Sequence, residues 1–536
     1  MKYDHFGVML DCSRNAVMKV SEVKRMIDHL KKMGYNTLEL YTEDTYEVEG
    51  EPYFGYMRGR YTGAELQEID EYAKSKGIEL IPCIQTLAHL AVLLKHREYA
   101  CIHDTAGILL IDEPKTYELI DRMFASLAKN FTSRKVNIGM DEAHMVGRGK
   151  FLDKYGYQNR YEIILRHLNK VLEIAKKYGF TPHMWSDMFF RPINNGAYHV
   201  DENFEIPEDL KAQLPEVELV FWDYYHKVKK GYDDNLSAHK KLGKEVWFAG
   251  GAWTWNGFAP LNHLTLLTMK PAMESVVEQR VKNVLITMWG DNGKECSFYG
   301  VLPSLYAIRQ YAEGNFDEEK IKQGFYELFG IQYDEFTLLD LPNQMEKPFI
   351  YADGQELQQN PSKILLYSDP FMGVKDEIYE KLPEIPYACY AKRLQKAGGH
   401  VGEYAYVFNT LSRLCKVLSY KARLGVNTRK AYESKNKEWL GRLINDYEQA
   451  ARQVKAFHES FFELWHKENK PNGWEVHDMR LGGLEKRLKT CKKCLQAYIN
   501  GETDKIEELE EPLLPIEPKM HMQKNDHLGL ITFCAV

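Results

Sequence analysis

The feature that most constrains the fold is the repeated alternation of short apolar runs and amphipathic helical segments over residues 1–315. Most of the apolar runs are continuous rather than alternating, which is typical of strands covered on both faces. The predicted strands are His5–Asp11, Thr37–Asp44, Ile78–Gln85, Lys135–Asp141, Pro182–Asp187, Glu218–Tyr224, Glu245–Trp253 and Asn283–Asp291. Eight strand–helix units in series predict a (β/α)8 TIM barrel, and a doubly wound open sheet is the alternative.

The helical segments between these strands share a recurring ending. The predicted helices are Val20–Met33, Ala64–Lys76, Thr116–Lys129, Tyr161–Tyr178, Asp234–Leu242, Leu264–Val281 and Pro303–Tyr311. Four of them run into the sequences KKMG, KSKG, KKYG and KKLG just before the next strand. Lysines in a last turn followed by glycine are typical of a helix C-terminus, because cations favour the negative end of the dipole and glycine adopts the left-handed cap.

The rest of the chain predicts an irregular connecting region over residues 316–386 and a mainly α-helical C-terminal domain over residues 387–536. The helical patterns there are Tyr404–Leu424, Glu438–Trp465 and Gly483–Asn500. Between the last two, residues 468–488 contain Pro471, Gly473 and the pair Gly482-Gly483, and they predict a long aromatic loop. We expect either a packed loop that satisfies Arg480 or a cover over an active-site mouth in a homodimer formed through the helical domain.

Charge and composition exclude several classes of partner. The net charge is −7 and the lysines are scattered, which argues against nucleic acid or an anionic membrane as a partner. No run approaches the ~20 apolar residues of a membrane span, and the nine cysteines are dispersed as in a reduced cytoplasm. We therefore expect a cytoplasmic protein. With no Cys/His cluster, HExxH motif or Walker loop, the sequence predicts no metal site and no cofactor.

Polar and aromatic residues gather at the predicted carboxyl ends of the strands, where the active sites of such barrels lie. They are Asp11, Arg14, Glu43, Asp44, Gln85, His89, Asp141, Glu142, Trp185, Asp187, Trp222, Tyr224, Tyr225, Trp253, Trp255, Asn256, Trp289 and Asp291. Five of the nine tryptophans lie at this end of four consecutive strands. Tryptophan faces edged with Asp, Glu, Asn and Arg are typical of carbohydrate sites, because the rings cover C–H surfaces and the polar groups bind hydroxyls.

Asp141 and Glu142 are adjacent at the end of the fourth predicted strand. Two carboxylates this close repel each other, so one of the pair is expected to hold its proton more firmly than usual. Glycoside hydrolysis needs one protonated and one ionised acid, and it is therefore the leading chemistry.

The barrel region resembles glycoside hydrolase family 20, the β-N-acetylhexosaminidases. The resemblance covers residues 1–315 and lies in the segments GVMLDCSRNAV, YTEDTYEV, RYTGAELQEIDEYAKSKGIELIP, NIGMDEAH, MWSDM, VFWDYY and MWGDNG. The Gly-x-Asp-Glu pattern in NIGMDEAH is the most specific of these. The family's common amino-terminal accessory domain is absent from this sequence, which resembles the smaller branch that starts with the barrel.

The resemblance implies an exo-acting, retaining hydrolase of terminal β-linked GlcNAc or GalNAc, acting on an oligosaccharide or glycoconjugate. Glu142 matches the general acid, and Asp141 matches the carboxylate that orients the substrate's 2-acetamido group, whose oxygen attacks the anomeric carbon to form an oxazolinium. Adjacency fits this division, because two carboxyls that flank the anomeric carbon directly would need a separation of ~5 Å or more.

Substrate-binding roles follow from the same match. Trp185, Trp222 and Trp289 would wall the pocket, and Asp291 would bind a sugar hydroxyl. His89 would lie near the acid, although a purely structural histidine is an equal alternative. The usual strand-seven element reads Trp253-Thr254-Trp255-Asn256 here, so Trp255 and Asn256 are candidates for substrate contact. The tyrosine that bonds the acetamide oxygen is Tyr224 or Tyr225, and Tyr225 is the preferred choice.

One departure concerns the first strand. Many family members have an arginine before its glycine, where this chain has Phe6, and Arg14 is the candidate replacement. Two other functions remain open: a barrel glycosidase that uses a different acid pair, and a non-catalytic sugar-binding protein.

Overall fold

The computed structural model of the chain describes residues 2–255, 257–345, 361–381, 383–514 and 527–532. Its strands are β1 His5–Asp11, β2 Thr37–Tyr41, β3 Glu79–Cys83, β4 Lys135–Asn137, β5 Thr181–Trp185, β6 Glu218–Trp222, β7 Val246–Gly251 and β8 Asn283–Met288. They form a closed barrel in chain order, in which β1 pairs in parallel with both β2 and β8. The predicted barrel is confirmed, and the open sheet is excluded.

Helices follow the strands and continue into the C-terminal region. The first eleven are α1 Val20–Met33, α2 Gly63–Ser75, α3 Pro114–Asn130, α4 Lys150–Tyr155, α5 Arg160–Lys177, α6 Asp187–Phe190, α7 Glu208–Gln213, α8 Lys229–Lys240, α9 Asn262–Glu278, α10 Leu302–Ala312 and α11 Glu318–Phe329. They are followed by α12 Tyr333–Phe336, α13 Pro361–Tyr367, α14 Asp376–Lys381, α15 Tyr387–Ala397, α16 Ala405–Lys421, α17 Leu424–Glu433, α18 Lys437–Glu468, α19 Trp474–Asn500, α20 Glu507–Glu510 and α21 His527–Ile531.

The four predicted glycine endings are confirmed. Gly34, Gly77, Gly179 and Gly243 all have positive φ, between 69° and 86°. At the end of α1, the backbone N–H of Gly34 donates to the carbonyl oxygens of the last turn, as a left-handed cap requires. Each of these caps turns the chain back toward the next strand.

Two predicted segments differ from the structure. β4 ends at Asn137 instead of Asp141, because Gly139 and Met140 both have φ near +70° and cannot continue a strand. Residues 474–488 belong to helix α19, so the predicted long loop shrinks to residues 469–473. Glycine weakens a helix by only about 1 kcal/mol, and the burial of one face of α19 outweighs the pair Gly482-Gly483. Residues 318–329 are also helical, within the region predicted to be irregular.

The chain divides into two compact units. The first comprises Met1–Ala252, Thr265–Trp289 and Ser304–Ile321, and the second comprises Trp253–Leu264, Gly290–Pro303 and Lys322–Val536. The second unit therefore includes most of the connection after β7 and the segment after Trp289. Among the described residues, no helix combines the length and apolarity needed to cross a bilayer.

A buried polar pair lies inside the barrel. His183 Nε2 on β5 is 2.7 Å from Glu39 Oε1 on β2, and both side chains are fully buried. The His183 ring stacks on Trp247 at 4.5 Å, and Asn137 Nδ2 donates to Glu39 at 3.4 Å. A buried ion-pairing group needs these partners, because water cannot reach it.

We expect Glu39→Ala to lower the free energy of unfolding by about 3–5 kcal/mol, because it leaves a buried histidine and amide without their acceptor. Thermal denaturation followed by circular dichroism measures the loss. The double variant Glu39→Met/His183→Leu removes both members of the pair and is expected to melt above Glu39→Ala. If the two variants melt together, the pair has no special role in stability.

Candidate active site at the carboxyl ends of the strands

The backbone after β4 is held in an unusual conformation. Gly139, Met140 and Glu142 all have positive φ, at 71°, 70° and 50°. A Cβ on Gly139 would lie 2.3 Å from Gln85 Oε1 and 2.7 Å from the carbonyl oxygen of Ile84, so only glycine fits there. As a result, the adjacent acids face different surroundings: Asp141 is buried, whereas 44% of the Glu142 side chain is exposed.

Asp141 is held as a carboxylate by two partners from the loop after β3. Gln85 Nε2 donates to Asp141 Oδ1 at 2.7 Å, and His89 Nε2 lies 3.1 Å from Asp141 Oδ2. Burial alone would raise the pKa of Asp141, but the charge and hydrogen bond of His89 hold that pKa below its usual value. Burial likewise opposes the charge on His89, and the attraction of Asp141 raises its pKa to about 9. The pair is therefore ionic at neutral pH.

Arg14 occupies the other side of His89. Its Nη2 lies 3.3 Å from His89 Nδ1, and its Nε donates to Glu43 Oε1 at 3.1 Å. Glu43 also accepts a hydrogen bond from the Tyr41 hydroxyl at 3.1 Å, and that hydroxyl accepts one from Gln85 Nε2. One polar network thus runs through the strand ends from the loop after β1 to the loop after β4.

Glu142 is linked to this network on one side and to Asp187 on the other. Glu142 Oε2 is 3.8 Å from His89 Nε2, and the Glu142 backbone N–H donates to Asp187 Oδ2 at 3.1 Å. Asp187, at the start of α6, is fully buried and also accepts from Arg191 Nε at 3.2 Å. Burial, followed by the negative charge of Asp141, raises the pKa of Asp187 to about 7.

The sequence alone gave Asp187 no role. Its place at a strand end is visible in MWSDM, but its burial and its bond to the Glu142 backbone are not. An acid at the last position of a predicted buried strand is the signal that could have identified it.

An aromatic wall forms beside the acids. Its members are Tyr41, Trp185, Trp222, Tyr224 and Trp289. Trp289 Nε1 donates to the Tyr224 hydroxyl at 3.0 Å, and the rings of Trp222 and Tyr224 stack with centroids 5.5 Å apart. Trp289 also contacts Tyr41 edge-on at 4.8 Å and Trp185 at 6.0 Å. Within the described residues, the buried Trp185 Nε1 has no hydrogen-bond acceptor.

The two candidate tyrosines differ in burial. Tyr224 is 6% exposed, and burial raises its pKa above the usual value. Tyr225 is 45% exposed, and its backbone N–H donates to Asp223. The structure therefore brings Tyr224, rather than the preferred Tyr225, into the wall with Trp222 and Trp289.

Of the predicted residues after β7 and β8, Trp289 belongs to the first unit, whereas Trp253, Trp255 and Asp291 belong to the second. Trp255 is buried and stacks on Trp253 with centroids 4.2 Å apart, and Asn256 lies outside the described residues. Asp291 is half-buried and begins the segment after β8, in which Asn292, Gly293 and Lys294 all have positive φ.

Helix α19 holds the backbone of this segment. Arg480 Nη1 donates to the carbonyl oxygen of Asn292 at 2.7 Å and to Glu295 Oε1 at 3.1 Å. Burial lowers the pKa of His477 to about 3, so its ring is neutral and its Nε2–H donates to the carbonyl oxygen of Gly293 at 2.9 Å. Arg480 therefore supports a loop of its own chain.

The charge on His89 gives stability a defined pH dependence. Because its pKa rises from about 6.5 in the unfolded chain to about 9 in the folded one, its contribution is complete below pH 6.5 and is lost as the pH rises through 9. We expect the melting temperature of His89→Gln to fall further below that of the wild type at pH 6 than at pH 9.5. His96→Gln, in the same loop, is the control. A difference that does not change with pH would contradict a charged His89.

Comparison with known proteins finds two family models that match the chain. Residues 3–206 match the model described as "Glycosyl hydrolase family 20, catalytic domain", and residues 334–528 match "Glycoside Hydrolase 20C C-terminal domain". Human hexosaminidase D is 24% identical over 356 residues, which are 60% of this chain and 69% of that protein. The bovine hexosaminidase D is 25% identical over 45% of this chain and 68% of its own length.

One solved structure similar to part of the chain is the exo-β-N-acetylglucosaminidase of Vibrio harveyi in complex with N-acetylglucosamine. It is 17% identical with a TM-score of 0.47, and the match covers 61% of this chain and 58% of that one. The two matched domains lie in the order catalytic, then C-terminal, and together they span most of the sequence. The chain belongs to glycoside hydrolase family 20, with a C-terminal domain of the 20C type.

Proposed function

We propose that the protein is an exo-acting β-N-acetylhexosaminidase that removes terminal non-reducing β-linked GlcNAc or GalNAc with retention of configuration. The observation that carries the proposal is the pairing of a buried, ionised Asp141 with an exposed neighbouring Glu142 beside a tryptophan wall. This arrangement supplies one fixed negative charge and one acid that can reach an aglycone.

In the proposed reaction, Asp141 accepts the N–H of the substrate's 2-acetamido group and turns its carbonyl oxygen toward the anomeric carbon. That oxygen forms a bond to the anomeric carbon as the glycosidic C–O bond breaks, and Glu142 gives its proton to the leaving oxygen. Glu142 then takes a proton from the water that opens the oxazolinium. Asp141 stabilises the positive charge of this intermediate without moving.

His89 acts on Asp141 rather than on the sugar, and Arg14 contacts Glu43 and His89. The His89 imidazolium, 3.1 Å from Asp141, keeps the carboxylate ionised, and Arg14 is already bonded to Glu43. We therefore propose a positioning role for both residues. Direct hydroxyl binding by Arg14 is less compatible with its bond to Glu43.

The wall residues Trp185, Trp222 and Trp289 are proposed to enclose the N-acetyl group and the sugar ring. Tyr224 is proposed to donate to the acetamide oxygen, since its hydroxyl is held at the wall by Trp289. Sugar contacts by Trp255, Asn256 and Asp291 remain proposals from the family resemblance. The same applies to the domain boundaries at residues 315 and 386, the homodimer and the cytoplasmic location.

The first experiment compares wild type and Glu142→Gln on p-nitrophenyl β-GlcNAc and on a natural β-GlcNAc disaccharide. We expect the variant to lose roughly 100-fold or more in kcat/KM on the disaccharide, because its leaving oxygen needs a proton. The loss should be smaller for the nitrophenyl substrate, whose leaving group needs little protonation.

Asp187→Asn is the matched control, because it changes a second acid that contacts the Glu142 backbone. The loss of kcat/KM that identifies the acid is one that is larger on the disaccharide than on the nitrophenyl substrate. If Asp187→Asn shows this pattern and Glu142→Gln does not, the enzyme uses a different acid pair. If wild type cleaves β-glucosides and leaves β-GlcNAc intact, the acetamido-assisted mechanism is wrong.

The two tyrosines give a paired test of acetamide recognition. Tyr224→Phe is expected to reduce kcat by about 10-fold or more, because it removes a hydrogen bond to the attacking oxygen, whereas Tyr225→Phe should stay close to wild type. Inhibition by a thiazoline analogue of the oxazolinium provides the second reading, and it should weaken in Tyr224→Phe alone. Equal effects in both variants would contradict the assignment.

A further inference from the structure

A second cluster of potential ligands lies beside the wall and takes no part in the proposed reaction. His199 is in the loop after β5, and Asp223 and His226 follow β6. One ring nitrogen from each histidine and one oxygen of Asp223 all lie within 4.8 Å of one another. All three residues belong to the first unit.

We propose that His199, Asp223 and His226 bind a divalent transition-metal ion of the zinc class, which joins the loop after β5 to the loop after β6. Two imidazoles and a carboxylate are ligands that zinc uses in proteins, with water or another ligand in the fourth position. The chemistry of the set differs from a calcium or magnesium site, which would be built from oxygens.

Asp223 Oδ2 contacts both histidines: its contact with His199 has nearly the spacing of two ligands on one ion, whereas its contact with His226 is closer and would have to open. His199 Nε2 lies 3.6 Å from Asp223 Oδ2, and ligands on a tetrahedral zinc are about 3.3 Å apart. His226 Nδ1 is hydrogen-bonded to the same carboxylate oxygen. A metal ion would replace the proton in this bond.

Local structure fixes the carboxylate and one of the rings in advance. Asp223 is fully buried, and its Oδ1 accepts the backbone N–H groups of Tyr225 and His226, which leaves Oδ2 directed at the two histidines. The His226 ring lies against Gly231, where an added Cβ would come within 2.3 Å of it. Ligands held in this way lose little freedom when an ion binds.

The cluster lies near the surface and is incompletely satisfied. The side chains of His199 and His226 are 30% and 31% exposed, whereas Asp223 is fully buried. Within the described residues, the buried His199 Nε2 makes no hydrogen bond. A nitrogen without a hydrogen-bond partner that faces a buried carboxylate is a suitable ligand for a cation.

Binding would affect the neighbouring wall. The backbone N–H of Trp222 already donates to the Tyr198 hydroxyl at 3.2 Å, and Tyr198 and Trp222 directly precede His199 and Asp223 in the chain. A metal bridge would add a second link next to this one. The proposed ion is therefore structural, and it holds Trp222 in place without touching the reacting sugar.

The test is isothermal titration of the metal-free full chain with Zn2+, together with visible absorption after addition of Co2+. We expect roughly one ion per chain and the d–d bands of a four-coordinate cobalt complex. His199→Ala, His226→Ala and Asp223→Asn should each weaken zinc binding by about 10-fold or more. Asn retains an oxygen for the two backbone N–H groups, so the Asp223 variant tests the charge and not the turn.

His458→Ala is the control, because His458 pairs with Asp478 at 2.8 Å on the helical region as a comparable histidine–carboxylate contact outside the cluster. It should bind zinc as the wild type does. Zinc should also raise the melting temperature of wild type and not that of Asp223→Asn.

Three outcomes would overturn the proposal. The first is that the wild type does not bind zinc. The second is that the His199 and Asp223 variants bind zinc as tightly as the wild type does. The third is that Mg2+ displaces zinc as effectively as zinc itself binds. If a variant does not fold, the cobalt spectrum of the wild type decides alone, since an unspecific surface contact would leave cobalt six-coordinate.

Discussion

The site depends on keeping a negative charge on Asp141 inside the protein. A buried carboxylate is unfavourable unless it is paired and hydrogen-bonded, and here one histidine and one glutamine meet that requirement. The histidine can remain charged because the carboxylate is there, so each group fixes the protonation state of the other. Glu142, whose side chain is 44% exposed, has different surroundings, and this difference is the basis of the separate roles proposed for the two adjacent acids.

The barrel makes this pairing possible by bringing neighbouring strands together at their carboxyl ends. β3 and β4 pair side by side, which places Gln85 and His89 next to the chain that leaves β4. The close approach of Gln85 to Gly139 then forces the left-handed turn that separates Asp141 from Glu142. His89 and Glu43, on the neighbouring loops, also have positive φ, as strained residues at functional sites commonly do.

The sequence predicted what depends on periodicity and on local chemistry. Eight apolar runs gave the barrel, and lysine-rich turns before glycine gave helix ends such as Gly34. Predictions from the sequence were wrong where tertiary packing decides the local structure. The pair Gly482-Gly483 indicated a loop, but the burial of Trp474, His477 and Leu481 on one face keeps the segment helical. The choice between Tyr224 and Tyr225 stays a prediction, because adjacent residues in a loop give no sign in the sequence of which one is buried, and the structure buries Tyr224.

Residues that meet only in three dimensions were harder to identify. Asp187 stands within a recognisable motif, but its pKa near 7 arises from burial and from Asp141, 46 positions earlier. The ionised form of one acid therefore sets the protonation of another. Below pH 7, Asp187 is protonated, and the backbone N–H of Glu142 is bonded to a neutral group. Of Asp141 and Asp187, only Asp141 then carries a negative charge. As the pH rises, Asp187 ionises and adds a second negative charge beside Asp141, with Arg191 as its partner. Burial and the charge of Asp141 thus raise the pKa of Asp187, whereas His89 lowers the pKa of Asp141 itself, so two buried acids of one site are shifted in opposite directions.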